Sequence, residues 1–345
     1  MNVCQFANPK TRKTMQKPMK AVVITGPTAT GKTALAVRLA RACHGEIISV
    51  DSRQVYRGLD LGTGKDLAEY RTGGDPVPYH LIDLVDPATE YHLAGFCRDA
   101  AAALTVIAER RHLPILCGGT ALYLDALLRG YELPGGAPDP QLREELRHLT
   151  VPELQQRFRE LAPDRFAAFK DKINPVRLRR AIEMLLVPNG ETALPVDEWL
   201  DPLVLGVYYP RSEVRQRIEQ RLDARLAEGM IEEAQHLHEQ GVSWERLEFF
   251  GLEYRYLALY LQNKLSRAAM REQLLAHIRQ FAKRQDIWFR KMEREGMNIY
   301  WLDHGDPATA QKLVTTFLAG ELLPEPAFRL KDIHYGPITS GPDAD

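Results

Sequence analysis

The chain has 345 residues, 45% of them apolar and 26% charged, with a formal net charge of −1. That length buries one large core, or one core carrying an inserted subdomain. No run of about 18 apolar residues occurs, which excludes a helical membrane span, and near-neutrality means that any nucleic acid is held by local basic patches rather than by the whole field.

Residues 1–19 are polar and basic (Lys10, Arg12, Lys13, Lys17) and lack the apolar stretch of a secretory signal, so they read as a disordered lead-in to a cytoplasmic protein. Cys4, Cys43, Cys97 and Cys117 show no CxxC or zinc-ligand spacing, and the last three read as buried thiols of a reducing compartment. Lys20 to Thr25 is a continuous apolar strand, followed by a helix over Lys32 to Cys43 with Leu35, Ala36 and Leu39 on one face. Glu46 to Asp51 is a second strand, and His80 to Val85 and Pro114 to Cys117 read as further strands around an Ala-rich helix from Leu93 to Arg111. Thr120 opens the next helix.

The pattern changes near Tyr131. A Pro/Gly-rich loop runs from Leu133 to Pro140, and the segment to about Leu186 reads as helical and charged, with Pro152, Pro163 and Pro175 at its boundaries. Pro188 to Pro195 closes it. Strand character returns at Leu203 to Tyr209, followed by charged helices to about Arg294, a last strand at Met297 to Leu302, and a tail from Pro324 that reads as loosely ordered. Strand–helix alternation of this kind predicts an α/β fold, a P-loop-type parallel sheet. The predicted organisation is a core of residues 20–132 and 196–323, an all-helical insertion at 133–195 and a flexible tail at 324–345.

Between the first strand and the first helix lies Gly26-Pro27-Thr28-Ala29-Thr30-Gly31-Lys32-Thr33, a full match to GxxxxGK(S/T) in its proper context. Its glycines permit a turn whose backbone N–H groups converge on phosphate oxygens. Lys32 supplies a cation, and the Thr33 hydroxyl a ligand for Mg²⁺. The motif implies a diphosphate or polyphosphate and leaves the reaction open. Asp51 ends the second strand at the carboxyl edge, where ligands of open α/β sheets bind. It is a candidate general base or metal ligand, or else a turn residue. Gly118-Gly119-Thr120 stands at the same edge, where Thr120 either donates to a leaving oxygen or caps a helix. Lys65, in a second glycine-rich stretch, is a candidate second cation near the phosphates. Asp83 and Asp86 read as turn residues beside Pro87 rather than metal ligands, and His80 as structural.

Three basic stripes stand at helical spacing: Lys170 to Arg180, Arg211 to Arg225, and Arg279 to Lys291, the last interleaved with Phe281, Trp288 and Phe289. Each suits phosphates and unstacked bases, and each equally suits a solvated helix face with i,i+4 ion pairs.

Together, ITGPTATGKTALA, DSRQVYRGLDLGTGK, YHLIDLVDP, PILCGGTALYLDALLRG, RLRRAIEM, RSEVRQRIEQRLDARLAEGMIEEA and AKRQDIWFR closely resemble the tRNA dimethylallyltransferase (tRNA isopentenyltransferase) family, in order from residue 24 to about 290. The resemblance implies transfer of a dimethylallyl group from dimethylallyl diphosphate to N6 of the adenine 3′-adjacent to the anticodon in tRNA, by a Mg²⁺-dependent monomer. It implies that Asp51 is the general base and that Lys32, Thr120 and Arg217 stabilise the leaving group. Residues 26–33 and Arg211 are then the diphosphate cradle. Asp51, Ser52, Arg53, Gln54, Thr120, Arg143, Val176, Arg177, Arg179 and Arg180 match stretches that touch tRNA, and the insertion matches the anticodon-stem clamp. Val176 stands where the family has Gln, Gly251-Leu252-Glu253-Tyr254 where it has Gly-Tyr-x-Glu, Ile287 where it has Thr, and GTGK replaces GTAK. No cysteine follows Cys117, so the zinc finger of eukaryotic relatives is absent. The alternatives are prenylation of a free adenine nucleotide, an ATP-dependent small-molecule kinase, and a tRNA-binding protein with an idle phosphate site.

Overall fold

A computed structural model describes residues 18–130, 139–186 and 200–333 of the chain. The apolar run at its start forms β1 (Met19–Thr25), whose Ala21, Val22, Val23 and Ile24 are all buried. A strand apolar along its whole length needs cover on both faces, the signature of a parallel sheet under helices. The partners are β2 (Gly45–Ser49), the two-residue β3 (Tyr79–His80), β4 (Leu113–Cys117), β5 (Leu200–Tyr208) and β6 (Ile299–Asp303). Every pairing is parallel, in the order β3-β2-β4-β1-β5-β6.

Beside the sheet stand α1 (Lys32–Ala42), α2 (Leu93–Glu109) and α3 (Ala121–Leu128), with α13 (Pro307–Ala319) following β6. Leu39, Ile47, Ile115, Leu205 and Val314 belong to one apolar cluster that unites the sheet with its cover. A second cluster joins Val55, Tyr56 and Leu59 to the helices that follow β5. These are α8 (Arg211–Ala227), α9 (Met230–Glu239), α10 (Trp244–Phe250), α11 (Leu252–Leu261) and α12 (Arg267–Arg294).

The chain divides into two units, one within residues 130–195 and the other drawn from residues 1–129 and 196–345; the boundaries expected at 133 and 195 fall outside the described residues. The smaller unit holds α4 (Pro140–Arg147), α5 (Val151–Leu161), α6 (Pro163–Ala168) and α7 (Pro175–Leu186) around Leu146, Leu154, Phe158, Phe166, Leu178 and Ile182. Pro152, Pro163 and Pro175 all fall in first helical turns, where a missing N–H leaves no bond unmade. Thr150 and Glu153 close a capping box at the start of α5.

Two expectations are corrected. His80 to Val85 is not a strand beyond His80, because Leu81 and Asp83 take left-handed backbone angles (φ 63° and 56°) that end the ladder. The tail is docked through residue 333 rather than loose from Pro324. Leu330 is 1% exposed, and Glu293 accepts the Leu330 and Lys331 N–H groups at 3.2 and 2.7 Å. The lead-in of residues 1–17 and the tail beyond 333 lie outside the described residues. No helix among the described residues is long and apolar enough to cross a membrane.

Candidate active site

The turn after β1 is shaped by steric necessity. Gly26 has φ 142°, and a Cβ there would meet the Val207 carbonyl oxygen at 2.7 Å, a contact that no other residue type relieves. Ala29 (φ 66°) and Gly31 (φ 79°) are also left-handed, which curls the backbone into a nest. Thr30 Oγ1 donates to the Pro27 carbonyl at 2.9 Å, and Lys32 Nζ to the same oxygen at 2.7 Å. Burial pushes the Lys32 ammonium down to about 8; nearby Arg221 acts in the same direction and Asp51 against it.

Thr28 through Thr33 line an open crevice of about 530 Å³ at the carboxyl edge of the sheet. Gly26 and Pro27 do not line it and act through the turn. Asp51, Ser52, Arg53, Gln54 and Thr120 line the same crevice. Asp51 Oδ1 accepts the N–H groups of Arg53 (2.8 Å) and Gln54 (3.3 Å), so Asp51 is a turn-capping residue and a crevice carboxylate at once. Thr120 Oγ1 accepts from the Ser52 N–H at 3.2 Å and makes no side-chain cap for α3. Gly118 is dictated by close approach, since a Cβ there would meet the Val50 carbonyl oxygen at 2.1 Å.

One residue clips these turns together. Gln285 of α12, 5% exposed, accepts from the Thr28 N–H at 2.9 Å and donates to the Gly119 carbonyl at 2.7 Å. On α8, Arg217, Arg221 and Arg225 recur every four residues and so share a face. Arg217 Nε donates to the Ala29 carbonyl at 2.8 Å, Arg221 Nη2 bonds Thr28 Oγ1, and Arg225 Nη2 pairs with Asp66 at 3.2 Å. Arg221 and Arg225 line the crevice, whereas Arg217 grips the nest without lining it. Arg211, expected on the diphosphate, pairs with Asp286 at 2.7 Å and is not among the lining residues.

Lys65 is a correction: its Nζ is fully withdrawn, donating to the Tyr56 carbonyl (2.8 Å), Asp60 (2.6 Å) and Asp83, and it ties loops together rather than serving phosphates. Asp86 pairs with Arg57 at 2.9 Å. His80 lies 2.6 Å from Glu46, a fully buried carboxylate also held by His112 and Arg110. Burial pushes the Glu46 carboxyl up, but these hydrogen bonds outweigh it and hold the carboxyl below its usual value. No group of three or more His, Cys, Asp or Glu able to hold a metal occurs among the described residues.

In the smaller unit, Arg143 and Arg180 both pair with Glu183, Arg177 pairs with Asp171, and Arg179 Nη2 donates to the Arg147 carbonyl at 3.2 Å. Val176 is 68% exposed.

Several crevice residues escaped the sequence reading as site residues, among them Arg221, Arg225, Gln285 and Glu253. The four-residue spacing on α8 was a visible signal for the two arginines. Glu253 lines the crevice beside Leu252, whose φ of 35° is strained, and burial pushes its carboxyl up, with Arg221 and Arg225 opposing.

With this geometry in view, the matches to known proteins have specific content. The family model described as IPP transferase matches residues 54–292, and that described as isopentenyl transferase matches residues 19–73. The chain is 48% identical over 288 residues to tRNA dimethylallyltransferase 1 of Syntrophus aciditrophicus, covering 83% of this chain and 94% of that one. It is 48% identical over 301 residues to tRNA dimethylallyltransferase 2 of Trichlorobacter lovleyi, covering 86% and 97%. Among solved structures it is similar to the full-length tRNA isopentenylpyrophosphate transferase of Bacillus halodurans, with 33% identity, TM-score 0.62, and coverage of 88% and 96%.

Proposed function

The chain belongs to the IPP transferase family of tRNA dimethylallyltransferases, and from that membership we propose that it moves a dimethylallyl group from dimethylallyl diphosphate to N6 of the adenine 3′-adjacent to the anticodon in tRNA, releasing diphosphate. The observation that carries this reading is that one crevice gathers an anion nest with Lys32, two arginines from α8, and the carboxylate of Asp51.

The left-handed turn and Lys32 hold the diphosphate, and Arg221 adds fixed positive charge where the departing group accumulates negative charge, with Arg225 beside it paired to Asp66. The target base enters extruded from its stack. Its N6 attacks the allylic carbon, a C–N bond forms as the C–O bond to diphosphate breaks, and the N6 proton passes to Asp51. Asp51 spends one oxygen on the backbone cap, and no hydrogen bond among the described residues occupies the other. Thr120 is anchored to the Asp51 loop through Ser52 and lines the same crevice, where its hydroxyl would serve the leaving oxygen. Arg217 supports the nest through Ala29.

Thr33 and Asp51 line the crevice together, and they are the side chains that would hold Mg²⁺, a diphosphate being able to supply further oxygens. Bound there, the ion would neutralise charge on the leaving group.

Incubation with labelled dimethylallyl diphosphate and unmodified tRNA, AMP, or ATP with small alcohols tests the reading. Label enters tRNA alone. Label in AMP, or phosphoryl transfer from ATP to an alcohol, sinks it.

A further inference from the structure

At the end of α10 two consecutive phenylalanines have opposite environments. Phe250 is 3% exposed, packs against Tyr56 with ring centroids 4.8 Å apart, and lines the crevice. Phe249 leaves 54% of its surface open. A lone exposed phenylalanine on a soluble protein needs no explanation. This one is flanked by two guanidinium groups, Arg246 at 4.7 Å and Arg53 at 5.5 Å from its ring centroid.

Both arginines are fixed by backbone carbonyls rather than by carboxylates. Arg246 donates to Pro87 at 2.6 Å and to Thr89, and Arg53 donates to the Phe249 carbonyl at 3.3 Å. Some basic residues elsewhere spend their charge on ion pairs, as Arg143 and Arg180 do on Glu183. Here, among the described residues, no carboxylate lies within ion-pairing distance of either guanidinium, so each is held in place with its charge available. Arg53 also lines the crevice, which makes the platform continuous with the site of chemistry. A half-exposed aromatic ring with two immobilised cations over it suits an unstacked base and its flanking phosphates.

We propose that Phe249 is a stacking platform for the nucleobase next to the extruded adenine, with Arg53 and Arg246 meeting the phosphates beside it. The inference rests on the RNA substrate proposed above and deepens it. Extruding one base strips its neighbour of a stacking partner, and Phe249 replaces the lost surface. The ring orders the loop in the register that delivers N6 to Asp51.

The test uses the full chain and an anticodon stem-loop carrying 2-aminopurine beside the target adenine. Wild type changes the probe's fluorescence on binding. Phe249→Ala abolishes that change and raises both Kd and KM for the stem-loop about tenfold, the weakening expected from losing one base–aromatic stack. KM for dimethylallyl diphosphate and the Tm stay at wild-type values, and Phe249→Trp restores stem-loop binding. Phe249→Ala that binds and modifies the stem-loop like wild type overturns the platform alone, as does a changed oligomeric state in that variant, which would assign the ring to a second copy. Wild type that binds the stem-loop but never labels it overturns the proposed reaction and leaves the platform to be decided by the fluorescence. Wild type that fails to bind the stem-loop overturns both.

Discussion

The two oxygens of Asp51 have separate surroundings, and that separation makes a clean substitution available. Oδ1 holds the turn through the Arg53 and Gln54 N–H groups, a duty that an asparagine carbonyl performs equally well. Asp51→Asn therefore keeps the fold and the donor site but removes the proton acceptor. Its kcat falls by about 10² or more while the Kd for dimethylallyl diphosphate is unchanged. Single-turnover labelling with an equilibrium binding measurement separates the two, and undiminished turnover takes Asp51 out of the reaction. Lys32 gives a pH dependence whose sign can be worked out. Burial pushes its ammonium down to about 8 in the free protein, and a bound diphosphate favours the charged form and raises it. The complex is thus stabilised by a proton that the free protein begins to lose near pH 8. Donor affinity is full below about pH 8 and falls as the pH rises through it, until the pKa of the complex is passed. Titration calorimetry near pH 8 in buffers of different ionisation heat registers proton uptake on binding, and Lys32→Ala removes both the uptake and the pH step.

At the scale of elements, the site is held together by α12 reaching across to two loops. Gln285 bridges Thr28 to Gly119, partners 257 and 166 residues away in sequence. Gln285→Leu matches its bulk but strands a backbone donor and a buried acceptor, at a loss of about 1–3 kcal/mol. Urea unfolding registers that loss, and KM for the donor rises because the nest and the Gly118-Gly119 turn are no longer coupled. A variant with wild-type stability and KM would show that water replaces the side chain at no loss. The same residue shows where sequence reading stops. β1, the nest and α1 were legible because their evidence is local: an apolar run, a complete glycine motif and a helical period follow one another directly. Asp51 and Thr120 were legible through their place at strand ends and through the family resemblance. Gln285 was not, because nothing near a glutamine inside a charged helix reports which loops it will meet. Lys65 failed for the converse reason: its glycine-rich neighbourhood looked like a phosphate loop, but Asp60, Asp83 and the Tyr56 carbonyl absorb its charge. Asp83 could reach it only because the chain leaves strand geometry after His80, a departure that the apolar run through Val85 concealed.

Across the whole molecule, 45 lysines and arginines face 46 aspartates and glutamates, and part of the charge of the basic stripes is committed internally. Arg143 and Arg180 share Glu183, Arg177 has Asp171, Arg211 and Arg290 share Asp286, and Arg271 and Arg279 share Glu219. A net charge of −1 provides little long-range attraction for a polyanion. Recognition must then come from few phosphate contacts, together with shape and stacking, rather than from a charged groove. Salt dependence measures this directly, because each neutralised phosphate releases condensed counterions. With about four phosphate contacts, the slope of log K against log salt for an anticodon stem-loop is about −3. Fluorescence anisotropy across a salt series yields that slope. A value steeper than about −6 would mean that the internal ion pairs open and hand their arginines to the RNA. The insertion would then be an electrostatic clamp, held shut by its own carboxylates until tRNA arrives.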